Sequence, residues 1–469
     1  MAGKWDGEEE DEERRPLRGR NRTRNRRPSR ALRLTLLATV IGFSGLNVLT
    51  WTMIGPFFPP ECDRRGIGGH TGIGVVTAAH QLTAACSVLF FAKFANKIGR
   101  RRCAGLGQAT SGVMIVCFGL VYLLPVNSVL FLSLSALFRA AQAFFESALL
   151  AVALPAAMDL FPENLVLVMS SQRVTIMATS TLGPVVGGAL FQAKRVTLCQ
   201  ERDRSFVFQI GGYLLPFLVV GLALVGVSCL SARAADGMGS IEITEPDETP
   251  DDDQSIDSAS SDGSGSEVGG RRSARQLDVL SCWYSWVVLC HMVAGYVPFT
   301  LLVYFFEPML REFELTPLAA GLAGSVVTAV YTVSSPLLAS VLDRAKEPKW
   351  LVLALATAQF LLAAFSLFVE PFAWMPLDKS LTLFLVVAAL VGAVAPIYGA
   401  CSNPLILDHV TRDVGYRDDL DTKTAVSGLA TTANLGSGFV ASTVGVVLVE
   451  FLGYSGSFGA LAALLAVSH

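Results

Sequence analysis

Long apolar stretches alternate with short polar segments along most of this chain. A helix needs ~20 predominantly apolar residues to cross the ~30 Å hydrocarbon core of a bilayer. The pattern predicts twelve membrane-spanning helices, at about 31–58, 70–95, 103–124, 128–158, 164–191, 206–231, 282–307, 317–342, 349–369, 380–406, 422–450 and 454–469. The last stretch is short for a span, and we expect it to be truncated or unusual.

Two polar segments divide the chain into regions. Residues 1–30 begin acidic and then become rich in arginine, which predicts a disordered tail. Residues 232–281 are rich in Ser, Gly and acidic residues, which predicts a flexible linker. Basic segments beside a span are retained in the cytoplasm, so the tail and the linker are predicted there, although the basic loop 194–204 falls on the other side. Two six-helix bundles remain, at 31–231 and 282–469, in an all-α membrane protein.

Composition agrees with a multi-pass membrane protein. Hydrophobic residues make up 52% of the chain and charged residues only 16%. The net charge of −3 is spread over loops and tails, and it indicates no nucleic-acid partner. The chain has neither a phosphate-binding Gly-x-x-x-x-Gly-Lys-Ser/Thr motif nor a zinc-binding His-Glu-x-x-His motif. We therefore expect no enzyme, no cofactor and no metal site, and a monomer whose partners are lipid, a small-molecule substrate and protons.

Three charged residues lie inside the fourth and fifth predicted spans. They are Arg139, Glu146 and Arg173, with Gln142 near the same stripe. A charge at mid-bilayer costs roughly 3 kcal/mol even on the mildest scale, so such residues usually mark a pathway or a paired site. Glu146 lies 15 residues before Phe161 in the turn and Arg173 lies 12 residues after it, which predicts similar depth and a Glu146–Arg173 pair. That pair is either a proton-coupling site or a fixed structural ion pair.

Other polar and aromatic residues in the spans are candidates to line a substrate cavity. The amides and histidines are Asn47, His80, Gln81, His291, Asn403 and Asn434, and the tyrosines are Tyr304, Tyr331 and Tyr398. The tyrosines could form a cage for a cation, and packing is the alternative. For each histidine, the alternative to a proton relay is a hydrogen bond between helices.

Small residues and cysteines suggest two further features. Gly183, Pro184, Gly187 and Gly188 on one span predict a conformational hinge, with simple close packing as the alternative. Cys62 and Cys199 are the cysteines that fall in predicted polar loops on the same face of the membrane, so they are a candidate disulfide, with two free thiols as the alternative.

Several motifs resemble those of the major facilitator superfamily. The segment NKIGRR, which contains Asn96, Gly99, Arg100 and Arg101, is similar to the motif between its second and third helices. Arg139-x-x-Gln142 resembles the fourth-helix motif of proton-coupled members, and Gly183-Pro184-x-x-Gly187-Gly188 matches the fifth-helix motif of exchangers. The resemblance implies two parallel repeats with substrate bound between them near the midplane.

A closer resemblance, over residues 34–454, is to the vesicular amine transporter family, nearest its polyamine-carrying branch. It is carried by MIGPFFP at 53–59, the segment 180–192, and SSPL at 334–337 followed by Asp343 and Arg344. The family implies proton-driven antiport into an acidic compartment. Monoamine members carry an acidic residue where this chain has Asn47, and the tenth span has no carboxylate in its core.

The sequence therefore predicts a secondary carrier in a vesicular, endomembrane or plasma membrane. Proton-coupled antiport of a small organic cation is the leading expectation. A facilitative or organic-anion carrier of the same fold is the first alternative, because Arg139 and Arg173 outnumber Glu146. A non-transporting receptor or scaffold is the second.

Overall fold

The structure is a computed structural model in which the described part of the chain is almost entirely helical. It describes residues 42, 44–98, 100–124, 128–160, 165–192, 196–197, 209–210, 212–237, 273–342, 344, 347–371, 375, 379–418 and 420–467. Within those helices, the side chains at 92–102, 104, 151–173, 230–237, 420–421, 424 and 467 lie outside the description.

The first set of helices precedes residue 238. Its elements are α1 (44–52), α2 (Phe58–Arg64), α3 (Gly69–Ile98), α4 (Arg100–Leu120), α5 (Ser128–Leu160), α6 (Leu165–Gln192) and α7 (Leu214–Gly237). A short antiparallel pair, β1 (Val196–Thr197) and β2 (Gln209–Ile210), lies between α6 and α7. Because residues 209–210 belong to this pair, α7 begins at Leu214 and not near residue 206 as the apolar pattern predicts.

The second set of helices follows residue 273. Its elements are α8 (Gln276–Leu280), α9 (Trp283–Leu310), α10 (Pro317–Leu342), α11 (Pro348–Val369), α12 (Leu381–Val394), α13 (Pro396–Asp408) and α14 (Leu420–Val467). Pro348 opens α11, where its missing N–H costs no helical hydrogen bond, and the Ser380 hydroxyl caps α12 by accepting from the Leu383 N–H at 3.1 Å. Pro396 separates α12 from α13 within the tenth predicted span.

Nine helical segments in the described part of the chain are long and apolar enough to cross a membrane. One of them, Ala425–Ala466, contains Gly453 at φ 67°, a left-handed conformation that glycine adopts without strain, and this bend divides α14 into two crossings. Leu214–Cys229 is a shorter apolar helix, and α1 is the described end of the first predicted span. The prediction of an all-α, multi-pass membrane protein is confirmed.

Two seams join the first set of helices to the second. In one, α3 packs on α14 and also touches α9; in the other, α6 packs on α10. Glycines allow these close approaches: a Cβ at Gly74 on α3 would lie 2.1 Å from Val446 of α14, and a Cβ at Gly321 on α10 would lie 2.4 Å from the carbonyl oxygen of Pro184. The helices therefore approach each other closely at both seams.

Candidate functional site

A carboxylate and an imidazole face each other inside the first set of helices. Glu146 of α5 and His80 of α3 are both about 95% buried, and the Glu146 Oε2 lies 3.3 Å from the His80 Nε2. Both residues belong to membrane-spanning segments. An isolated carboxylate is costly there, so a partner that exchanges protons or donates a hydrogen bond stabilises it.

The predicted partner of Glu146 was Arg173. The backbone of Arg173 lies in α6, but its side chain is outside the described residues, so that pairing stays a prediction. Among the described side chains, the partner of the carboxylate is His80.

Arg139 lies two turns before Glu146 on α5 and is 1% exposed. Its Nη1 donates a hydrogen bond to the Gln142 Oε1, and the guanidinium carbon lies 5.7 Å from the centre of the Phe118 ring. Its Nε has no hydrogen-bond partner among the described residues. An aromatic face and one amide oxygen stabilise this cation only in part, and the unpaired N–H leaves room for another acceptor.

Hydrogen bonds continue from Gln142 into α1 and α4. The Gln142 Nε2 donates to the Thr50 Oγ1 at 2.6 Å, and that hydroxyl donates to the Asn47 carbonyl oxygen at 2.6 Å. The side chains of Asn47 and Gln108 donate to each other, at 2.9 and 3.3 Å. Asn47 and Gln142 were selected from the sequence, but Thr50 and Gln108 were missed. Gln108 could have been found because it is the one amide side chain in the predicted membrane helix α4.

Gln81 links this region to the second set of helices. It is 5% exposed, and its Nε2 donates to the Tyr304 hydroxyl of α9 at 2.5 Å. The Tyr304 ring also meets the Trp51 ring of α1 edge-on, with centroids 5.8 Å apart. Two residues predicted to line a common cavity are therefore brought together, and Trp51 joins them without having been predicted.

The other two tyrosines predicted for the cage lie in a buried aromatic cluster. The Tyr331 and Tyr296 hydroxyl oxygens are 3.1 Å apart, and the Tyr398 and Tyr296 rings are 6.0 Å apart. Tyr331 also packs on Phe299 at 5.2 Å. Tyr331 and Tyr398 are at most 1% exposed, which fits the packing alternative at these two positions. Tyr296, at the centre of the cluster, was not among the predicted residues.

His291 lies on the outer surface and not in a cavity between the two sets. It lines an apolar groove of about 330 Å³ with Trp283, Trp286 and Leu464, and both tryptophans are well exposed. The reason is the helical repeat: His291 and Tyr304 are thirteen residues apart, which places them about 140° apart around α9. In this structure His291 lines the groove, and its place in a substrate cavity stays a prediction.

The remaining polar candidates lie in α13 and α14. Asn434 is exposed, and its carbonyl oxygen accepts from Ser437 at 2.6 Å. Asn403 is half-buried, and its Oδ1 has no hydrogen-bond partner among the described residues. Neither is joined to the Glu146 network by a hydrogen bond between the described atoms.

The glycine-rich motif of α6 makes close contacts on two sides. A Cβ at Gly183 would lie 1.8 Å from the Thr52 Oγ1, and one at Gly187 would lie 2.1 Å from the Met53 carbonyl oxygen. A Cβ at Gly188 would lie 2.6 Å from the carbonyl oxygen of Pro317 at the start of α10. The helix continues through Pro184. These contacts are those of close packing, and the hinge stays a prediction.

Several predicted residues fall at or beyond the limits of the description. Gly99, Asp343 and Cys199 lie outside the described residues, as do the side chains of Asn96, Arg100 and Arg101. Arg344 is exposed in a turn, and Cys62 is buried with no disulfide partner among the described residues. The Cys62–Cys199 disulfide therefore stays a prediction.

Charged side chains join the two sets of helices near the ends of α2 and α9. Asp63 pairs with Arg311, whose Nη2 also donates to Glu307 at 3.0 Å. His70 at the start of α3 lies 2.6 Å from Glu450 of α14. Together with the α3–α14 and α6–α10 seams, these contacts close the molecule at this end.

Comparisons with known proteins agree with this architecture. The sequence model of the Major Facilitator Superfamily matches residues 40–231 and 287–469. The chain is similar to the MFS-type transporter SLC18B1 of Mus musculus, with 27% identity over 199 residues, or 42% of this chain and 39% of that protein. This alignment therefore spans about two fifths of the mouse relative. The Homo sapiens protein of the same name is 24% identical over 420 residues, or 87% of this chain and 78% of that protein.

A solved structure shares the fold. It is the crystal structure of a bacterial homologue of the human lysosomal transporter Spinster, in an inward-facing and occupied conformation. The TM-score is 0.64 at 15% sequence identity, and the match covers 94% of this chain and 92% of the other. The sequence model matches most of the chain, so this chain belongs to the major facilitator superfamily, and its long apolar helices are those of a multi-pass membrane protein.

Proposed function

We propose that this transporter is a proton-coupled antiporter of a small organic cation, in which the His80–Glu146 pair carries the proton. The observation that supports it most is the burial of an imidazole against a carboxylate, 3.3 Å apart, inside membrane-spanning helices. Such a pair can hold one proton or two, and the local charge differs between the two states. The resemblance to the vesicular amine transporter family supports a cationic substrate.

The two sets of helices provide the means of alternating access. Carriers of this superfamily expose a site between their halves to one side of the membrane at a time. We propose that residues 31–231 and 282–469 act as these halves, and that 232–281 is a cytoplasmic linker. The Asp63–Arg311 and His70–Glu450 contacts then lie at the non-cytoplasmic end, and a state with this end closed would open to the cytoplasm.

Transport in proteoliposomes tests the proton site. A purified-protein thermal-shift screen of aliphatic amines and organic anions selects the substrate. In wild type, an imposed pH gradient should drive accumulation of an amine. Glu146→Gln should abolish that accumulation yet keep exchange between equal pools, since exchange moves no net proton. Glu347→Gln, at an exposed turn residue, is the matched control and should behave as wild type. Unaltered dependence on the gradient in Glu146→Gln would remove Glu146 from the mechanism.

An organic-anion carrier is the second candidate, because Arg139 is buried and its Nε has no hydrogen-bond partner among the described residues. A carboxylate or phosphate on the substrate could supply that acceptor. Accumulation of anions and not of amines in the same proteoliposomes would favour this candidate. A scaffold, by contrast, should give no counterflow with either class.

A further inference from the structure

Two consecutive side chains of α3 contact different neighbours. His80 faces Glu146 of α5 within the first set of helices, and Gln81 bonds Tyr304 of α9 in the second set. Successive residues of a helix point about 100° apart, so this division follows from the helical repeat. Because the two residues share one stretch of helix, a shift of α3 relative to α5 also moves Gln81, and it strains the bond to Tyr304 unless α9 moves with α3.

Gln81 also lies directly in the seam between α3 and α14. A Cβ at Gly438 of α14 would lie 2.9–3.1 Å from the Gln81 side chain, so the amide fills the space that this glycine leaves. The Gln81 Oε1 is buried and has no hydrogen-bond partner among the described residues. A buried acceptor without a partner costs about 1–3 kcal/mol. Among the described residues, the hydrogen bond to Tyr304 is therefore the polar contact that offsets the free-energy cost of burying this amide while the seam is closed.

We propose that Gln81 is a positioning residue that couples protonation of the His80–Glu146 pair to closure of the α3–α14 seam. The inference rests on the proposed function, since it requires that pair to take up and release the proton. A proton added to the Glu146 carboxylate makes it a weaker acceptor for the hydrogen bond from the His80 ring N–H. The contact to α5 weakens, α3 is released from it, and the Gln81–Tyr304 bond changes with it.

Other titratable groups face the same pair and contribute to its charge balance. Arg139 of α5 and Tyr304 of α9 interact electrostatically with Glu146.

A cysteine in the seam reports its opening without any knowledge of the substrate. Val446 of α14 is partly buried against Gly74 of α3, so Val446→Cys, in a background lacking the other reactive cysteines, should label with maleimide faster as the seam opens. The labelling rate of this variant in nanodiscs is divided by the rate of Lys349→Cys, a substitution at an exposed position. This ratio corrects for the intrinsic pH dependence of thiol reactivity. Between about pH 5.5 and about pH 8, which brackets the titration of histidine, the ratio should change about fivefold or more.

Two variants then remove the Gln81–Tyr304 hydrogen bond. Gln81→Leu deletes both polar atoms of the amide, and Tyr304→Phe deletes one hydroxyl. Each should flatten the pH dependence to less than about twofold, and the double variant should be no flatter than either single one. Gln359→Leu is the matched control: Gln359 is a buried amide of α11 that donates to the Leu465 carbonyl oxygen at 3.0 Å, away from the seam. It should keep the full pH dependence.

The outcomes separate this inference from the proposed function. Full pH dependence in Tyr304→Phe, the milder variant, overturns the role of Gln81 while gradient-driven transport by wild type still stands. Loss of pH dependence in Gln359→Leu as well would mean that any lost buried amide has this effect, and it too overturns the inference. Absence of gradient-driven transport in wild type overturns the proposed function itself.

Discussion

Replacing Gly187 by alanine should destabilise the protein because the added methyl group has no space. Its Cβ would lie 2.1 Å from the carbonyl oxygen of Met53 and 2.9 Å from the carbonyl carbon. These are backbone atoms at the end of α1, so no side-chain rotation relieves the contact. Overpacking typically costs 1–3 kcal/mol, whereas alanine in an unhindered helix gains about 1 kcal/mol over glycine.

Gly226→Ala is the matched control for this substitution. Gly226 lies in α7 and a Cβ there would have no atom within 4 Å. The gain in helix propensity applies to both variants and cancels, so they should differ by the overpacking cost of about 1–3 kcal/mol, with Gly187→Ala the less stable of the two. Thermal unfolding of both proteins in the same detergent measures the order. Equal transition temperatures for the two variants would refute the packing assigned to α6.

Two further predictions concern the contacts between the helix sets and the aromatic cluster. Asp63→Asn removes the ion pair with Arg311 and leaves the Arg311–Glu307 pair in place, so it should speed labelling of Val446→Cys by up to about fivefold, since a partly exposed ion pair contributes at most about 1 kcal/mol; an unchanged labelling rate would count against a role for the Asp63–Arg311 pair in closing this end. Tyr398→Phe should leave thermal stability unchanged or raise it, because the buried Tyr398 hydroxyl has no partner among the described residues; a fall of several degrees would show that the hydroxyl is bonded.

Most of the fold could be predicted because a membrane allows few backbone structures. Backbone polar groups have no water to bond in the hydrocarbon core, so a long apolar stretch must form a helix. The helix boundaries that this reasoning did not predict are those set by strand pairing or by a single proline. The β1–β2 pair moved the start of α7 to Leu214, and Pro396 separated α12 from α13. An apolar count cannot anticipate either.

Charged residues inside spans were found from the sequence because their cost makes them rare. Arg139, Gln142 and Glu146 are all buried, as that argument requires. His80 was selected as well, as a candidate to line a cavity, with a proton relay or a hydrogen bond between helices as its role, but Glu146 was not named as its partner. The depth argument compared only helices joined by a short turn, whereas α3 and α5 are neighbours without being consecutive.

The direction in which each side chain points accounts for the remaining errors. Depth follows from counting residues along a helix, but the partner depends on which neighbour each face of that helix meets. His291 and Tyr304 on α9 differ in this way, and so do His80 and Gln81 on α3. Because α9 is apolar on nearly every face, hydrophobic periodicity does not distinguish its inner side from its lipid side. The polar bonds themselves mark the inner side, and those bonds are tertiary contacts that one sequence does not contain.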